Sequence, residues 1–168
     1  MVEVALADSF KQAMRRLAAT VTVISTGDGS NRFGMTATAV TSVSTDPATL
    51  LVCVNKSAFM HAHLGVGSKM CINLLRHVHA DISRAFAGQR DAWERFTVGD
   101  WASDADGIPY LSDAQANLFC EVKLAVPYAT HTIFIGEVIH IRLHELVAPL
   151  IYQDGDYVAA LPVIADIG

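Results

Sequence analysis

Two runs rich in Thr, Val and Ser flank the cluster Gly27-Asp28-Gly29-Ser30-Asn31, and this pairing restricts the fold more than any other feature. Thr20 to Thr26 reads as a β-strand, and the cluster supplies positive φ and side-chain turn hydrogen bonds, so the chain must reverse there as a hairpin. The return arm, Arg32 to Thr45, is predicted as one unusually long strand ended by Asp46-Pro47. Within it, Gly34 to Ser44 carries Gly, Ala, Thr and Ser where a core strand would carry bulky groups. Such a segment leaves room for a flat ligand and lets main-chain groups approach it closely. The same composition also describes an ordinary Thr/Ala-rich edge strand.

The rest of the chain supports a mainly β fold. Asp8 or Ser9 is predicted to cap a short helix whose Phe10, Ala13, Met14, Leu17 and Ala18 recur on one face. Strands are predicted from Thr49 to Val54 and from Met70 to Leu75. Between them Ser57 is the expected N-cap of a short helix, Ala58 to His61, ended by Gly65 and Gly67. Short helices are expected at Asp81 to Phe86 and Asp91 to Phe96, and Gly99 to Pro109 reads as a turn-rich excursion. A long hairpin follows, with arms Asn117 to Val126 and Thr132 to Leu143 around a turn at Pro127 to Thr130. Strands without regular βαβ alternation favour an antiparallel barrel with short peripheral helices over a doubly wound sheet. Neither common phosphate-binding loop, GxGxxG or GxxxxGK[ST], is present.

A chain of 168 residues is long enough to bury a core without staples, and no linker divides it, so 1–168 is expected to be a single domain. Hydrophobic residues make up 52% and charged residues 17%, which is apolar for a protein wetted on all sides and points to surface covered by a partner. No apolar run reaches the roughly 20 residues that span a bilayer, so no membrane association is expected. The start has acidic Glu3 and Asp8 ahead of Lys11, unlike a secretory signal, so a cytoplasmic protein is expected. A net charge of −5 without a Lys/Arg cluster argues against a nucleic-acid surface.

Cys53, Cys71 and Cys120 are widely spaced in apolar surroundings and read as reduced thiols. Three histidine pairs call for a metal check. His61 and His63 fall in a predicted helix, where two residues apart diverge, and His77 and His79 fall in a predicted loop. His140 and His144 share a strand face but lack a clear third ligand, so no metal site is expected.

An ordered series of segments resembles the flavin reductase-like family of short-chain flavin reductases over about Phe10 to Leu161. It begins with Gly34-Met35-Thr36-Ala37 through Val43-Ser44 and Asp46-Pro47, then Leu50 to Ser57 and Asn73-Leu74-Leu75. Next come Phe86-Ala87-Gly88, Arg95-Phe96, Gly107 to Leu111 and Ala114 to Cys120. His131 with Gly136, then Pro149 to Tyr152 and Tyr157, complete it. The resemblance implies an antiparallel split β-barrel homodimer that holds FMN, or the FMN half of FAD, near the subunit interface. It implies that Met35, Thr36, Ala37 and Thr38 face the isoalloxazine, with Ser44 and Ala48 on the neighbouring wall. Asn55, Lys56 and Ser57 would hold ribityl and phosphate, which fits a Lys charge beside the N-terminus of a following helix. Phe86, Ala87 and Gly88 would close over the flavin. The family's usual Gly-Asp-His reads Ala129-Thr130-His131 here, so His131, with Tyr157 nearby, is what remains for a nicotinamide nucleotide.

Hydride transfer from NADH or NADPH to flavin is carried by the two cofactors, so no catalytic side chain is expected. The resemblance implies a flavin reductase that passes electrons to a partner monooxygenase. Alternatives within view are a cob(II)yrinic acid a,c-diamide (corrinoid) reductase making Co(I), and a flavin-binding module without turnover. A metal-binding barrel rests on histidine count alone.

Overall fold

The computed structural model describes residues 2–163, with side chains from Ala5 onward. Helix α1 (Val2–Met14) precedes strands β1 (Ala19–Thr20), β2 (Thr22–Gly27), β3 (Arg32–Ala37), β4 (Val40–Thr45) and β5 (Ala48–Asn55). β6 (Lys69–Leu74) leads to α2 (Ala80–Arg84) and then to a small hairpin, β7 (Trp101–Ser103) with β8 (Pro109–Leu111). The long hairpin of β9 (Ala116–Tyr128) and β10 (His131–Leu143) follows, and β11 (Leu150–Gln153) with β12 (Asp156–Ala159) ends the chain.

Seven strands form one antiparallel sheet in the order β3-β2-β6-β9-β10-β5-β4. Its two edge strands, β3 and β4, are consecutive in sequence and joined only by Thr38 and Ala39. A trans chain advances about 3.8 Å per residue, so that link reaches at most ~11 Å. Seven strands laid flat at ~4.8 Å spacing would hold the edges ~29 Å apart. The sheet must therefore roll until the Ala37 end of β3 and the Val40 end of β4 come together, and the Cys53 amide, donating to the Ala39 carbonyl at 3.1 Å, carries the β4–β5 ladder up to that corner. This is the predicted antiparallel barrel. The long strand predicted over Arg32 to Thr45 is two strands, one on each lip of the seam, because the small side chains of Thr38 and Ala39 permit the abrupt crossing.

Alternation fills the barrel. Leu50, Val52 and Val54 of β5 point inward with Ile24, Met70, Ile72, Val122 and Phe134. A second cluster, outside the barrel wall, packs Val23, Leu75, Phe86, Phe96, Leu111 and Leu150 beneath α2 and the loop after it. Fully buried Asn73 stitches the two layers. Its amide donates to the Val23 carbonyl and the Ser25 hydroxyl, each at 2.9 Å, while its oxygen accepts from the Leu111 amide and Asn117 Nδ2, also at 2.9 Å. Every polar atom of that side chain is thus matched, as burial requires.

A second polar knot sits where β6 turns into α2. Buried His79 accepts the Arg76 main-chain N–H on Nδ1 at 3.1 Å, which leaves the proton on Nε2 to donate to Asp113 Oδ2 at 3.0 Å. Arg76 pairs with the same carboxylate. Burial lowers the His79 pKa against the pull of Asp113. Burial resists ionisation of Asp113, but the hydrogen bonds and charges of His79 and Arg76 outweigh it and hold its pKa down.

Several local expectations are corrected. Helix α1 begins at Val2, since nothing in the preceding turn breaks it, and Asp8 and Ser9 lie inside it rather than at its cap. Ser57 caps nothing. Asn55 Oδ1 instead accepts the Ser57 amide and hydroxyl, each at 2.9 Å, and the following helix is a 3₁₀ segment, Phe59–His63, flanked by Ala58. The helix expected at Asp91 to Phe96 shrinks to a 3₁₀ turn, Arg95–Thr97, and the excursion at Gly99 to Pro109 contains the β7–β8 hairpin. The turn of the long hairpin is only Ala129 and Thr130, because Pro127 pairs with Thr132 within the ladder. His77–His79 is a short 3₁₀ turn, and His144 lies beyond the end of β10, so it shares no strand face with His140. No helix among the described residues is long and apolar enough to cross a membrane.

Candidate functional site

The seam offers hydrogen-bonding groups that the sheet itself does not use. β3 has β2 on one side and, among the described residues, no strand on the other. The Gly34 carbonyl points away from β2, where Arg95 Nη1 donates to it at 2.9 Å. Residues two apart in an antiparallel strand face the same way, so the N–H and C=O of Thr36 also point to the open edge. Gly34 is required by its neighbour: a Cβ there would lie 2.7 Å from Phe86 Cε1. Thr36 and Thr38 keep the adjoining surface low, and the Thr36 hydroxyl donates to the Ser83 carbonyl at 2.6 Å. A planar heterocycle with a row of donors and acceptors along one edge fits such a strip.

Asn55 ends β5, and Lys56 and Ser57 follow it, past the residues of β5 that pair with β4. The Lys56 amide donates to the Thr130 carbonyl at 2.9 Å, and its ammonium to the Ala129 carbonyl at 2.7 Å. His131 pairs with Asn55 in the β10–β5 ladder, and its Nδ1 lies 2.8 Å from the Thr130 hydroxyl. The two segments that the sequence assigned to phosphate and nicotinamide are therefore one contiguous, exposed cluster. Ala129 adopts φ 46°, the left-handed conformation that glycine favours, so this turn keeps a glycine-like bend without glycine. The support expected from a helix N-terminus after Ser57 is lost with the five-residue 3₁₀ segment, and the Lys56 charge remains.

Other candidates fall elsewhere. Ser44 and Ala48 flank the β4–β5 turn, where the Ser44 hydroxyl hydrogen-bonds Asp46. They sit at the opposite end of β5 from Asn55, about 23 Å away at ~3.3 Å per residue, so one protomer does not unite the two groups. The Phe86 side chain is buried edge-on to Phe96, with ring centroids 5.0 Å apart. That leaves Ala87 and Gly88, both exposed, as the accessible part of the turn. Met35 packs against the barrel core and Ala37 is buried, and by the same alternation their main-chain groups face β2, so neither lines the open edge. The Tyr157 hydroxyl is held 2.7 Å from the Ser83 hydroxyl, on the α2 side of β3 and not beside His131.

Ser83 and Arg95, which grip β3 from outside, were given no role from sequence. Arg95 was visible as half of the Arg95-Phe96 pair, and a serine in the middle of a short helix was the only signal for Ser83. An open groove of about 890 Å³ adjoins Thr38 and Ala39, walled by Phe10 and Met14 of α1, by Leu17 just beyond it and by Tyr152. Among the described residues no group of three or more His, Cys, Asp or Glu side chains is placed to hold a metal ion.

Comparison with known proteins places the chain in a family. Residues 14–160 match the model of the family described as flavin reductase like domain. A relative in a Rhizobium species, the reductase component of an FADH(2)-dependent resorcinol hydroxylase, is 43% identical over 157 residues, covering 92% of this chain and 87% of its own. An FMN reductase (NADH) of Stutzerimonas stutzeri is 35% identical over 150 residues, covering 89% and 86%. Among solved structures, the NADH:FAD oxidoreductase of Streptomyces globisporus superposes with a TM-score of 0.84 at 31% identity, covering 95% of this chain and 90% of its own. The same enzyme has been solved with NAD and FAD fragments. The extent of the family match, and identity above 30% along nearly the full length of these relatives, establish that the chain belongs to the flavin reductase-like family.

Proposed function

We propose that this protein is an NAD(P)H-dependent flavin reductase that binds FMN or FAD along the open edge of β3 and delivers reduced flavin to a partner monooxygenase. The observation that carries the reading is the unpaired edge of β3 at the barrel seam, and Lys56 and His131 form an exposed cluster at the far end of β5. Bound flavin and the nicotinamide nucleotide supply the hydride chemistry itself. The chain's part is to bind and orient. Main-chain groups of Thr36 meet the heterocycle edge, Lys56 and Asn55 stand where a phosphate and its sugar chain would extend, and His131 offers an imidazole N–H to the second nucleotide. Relatives described as a hydroxylase reductase component and as an FMN reductase point to the same donor and acceptor classes.

The whole chain, 1–168, is read as one such domain acting as a homodimer in the cytoplasm. Residues 1 and 164–168 lie outside the described structure. The described protomer leaves Phe10, Tyr128, Leu143 and Val147 largely exposed, apolar surface of the kind a second copy would cover. Cys71 and Cys120 are unpaired, and burial raises both thiols, Cys120 to about 12, as inert thiols in a reducing compartment would be.

The test is anaerobic addition of NADH, then NADPH, to protein loaded with FMN or FAD. Bleaching of the yellow colour is expected with at least one pair. Yellow protein inert to both nucleotides would favour a binding module, and protein that binds neither flavin would overturn the reading. Following NADH oxidation with a Co(II) corrinoid in place of flavin separates the corrin acceptor from the flavin one.

A further inference from the structure

We infer that Ser83 is a positioning residue for flavin, the middle of a relay by which Tyr157 fixes the ligand-facing edge of β3. The inference rests on the flavin reading above. Ser83 is fully buried, and its hydroxyl meets the Tyr157 hydroxyl at 2.7 Å. Its main-chain carbonyl accepts the Thr36 hydroxyl at 2.6 Å. One residue thus holds the β11–β12 hairpin with its side chain and β3 with its backbone. Two residues further on, the helix widens from α to π winding at Ala85–Gln89, the kind of local irregularity that concentrates at functional sites.

The Tyr157 end of the relay is itself held. The Arg84 guanidinium lies 5.1 Å over the Tyr157 ring, and the Tyr152 ring lies 5.6 Å from it. The hairpin is tied to the end of α1, since the Asp154 amide donates to the Arg15 carbonyl at 2.7 Å and Gln153 Nε2 to the Arg16 carbonyl at 3.3 Å. The other end meets the site directly, because the Thr36 main chain presents its N–H and C=O to the open edge. An edge strand has a ladder on one side only, so its free groups stay in register only if something else restrains them. Arg95 restrains Gly34, and the Ser83 carbonyl restrains Thr36. Preorganised acceptors and donors bind without the cost of ordering them, so loss of the restraint should appear in flavin affinity.

Three variants interrupt the relay without emptying the core: Tyr157→Phe, Ser83→Ala and Thr36→Val. FMN and FAD dissociation constants would be measured by flavin fluorescence quenching, together with Tm and with KM and kcat for NADH at saturating flavin. Each variant is expected to weaken flavin binding about five- to tenfold, the scale of one hydrogen bond, and for Ser83→Ala the loss should fall on flavin affinity and not on kcat at saturating flavin. The Tyr157→Phe/Ser83→Ala double variant should be no weaker than the worse single variant, because both break one chain. Thr36→Ser, which keeps the hydroxyl, should restore wild-type affinity. Flavin affinity unchanged in all three single variants, whatever happens to Tm, would overturn the relay, as would fully additive losses in the double variant. Wild-type protein that binds neither flavin would instead overturn the flavin reading, and this inference with it.

Discussion

Gly34 shows how one missing atom shapes this site. With Phe86 Cε1 2.7 Å from the place of its Cβ, and the Ile24 carbonyl 3.2 Å away, an alanine must push a buried ring or shift β3. Gly34→Ala should therefore cost about 1–3 kcal/mol, the usual range for overpacking, and should weaken flavin binding, measured by thermal unfolding and fluorescence titration. Ala129 is the opposite case, a side chain where glycine would be at ease. Holding φ 46° costs an L-residue of this kind about 1–2 kcal/mol, so Ala129→Gly should raise Tm without altering the Lys56 contact. At this scale the sequence was only partly legible. The small residues of Gly34 to Thr38 announced a close approach, but not that Phe86, expected to cover a ligand, is the group that approaches. An aromatic beside Ala-Gly looks the same whether its ring faces the core or a ligand.

Elements were easier to read where they had a period, and harder where they had a junction. The alternation of β9, β10 and β5 gave those strands to within a few residues. Thr38 and Ala39 looked like more of the same strand because no Gly or Pro marks the crossing, and β7 and β8, three residues each, are too short to show alternation. The knot before α2 was also illegible, since nothing in His77-Val-His79 announces Asp113 as a partner. It makes a prediction that depends on its pieces acting together. The His79 pKa is lowered from 6.5 in the folded state, so the unfolded chain binds the extra proton. The contribution of this histidine is complete above about pH 6.5 and is lost as the pH falls from there towards the lower folded value. Asp113, lowered from 3.8, adds its own loss only at more acid pH. Tm should thus decline between pH 7 and 5. His79→Gln can keep both hydrogen bonds without titrating and should flatten that decline, as scanning calorimetry across the range would show.

For the whole molecule, the isolated protomer exposes 10134 Å², against about 8,100 Å² expected for a compact monomer of this mass. Helix α1 contributes to the excess, since its apolar stripe of Leu6, Phe10 and Met14, continued by Leu17 just beyond it, is 46–70% exposed. The mean hydropathy of +0.34 carried this message in the sequence, although composition did not say which surface would be left bare. Sedimentation velocity at micromolar concentration should find a dimer, and a monomer that persists at tens of micromolar would contradict the reading. The rolled sheet bears on the ligand as well. Its two lips, β3 and β4, are joined by the two-residue bridge of Thr38 and Ala39 with no ladder between them, while the neighbouring strands of the sheet are laddered. A cylinder parts first along its weakest line, and the proposed flavin strip, the open edge of β3 at Thr36, runs along that line. A ligand lying across it would act as a clasp. Saturating FMN or FAD at a hundredfold excess over its dissociation constant should add about 2.7 kcal/mol to stability, seen as a rise in Tm, and amide exchange should slow first in β3 and β4. Reduced flavin leaving for a partner would undo the clasp, so each turnover would loosen and refasten the barrel at the place where it closes.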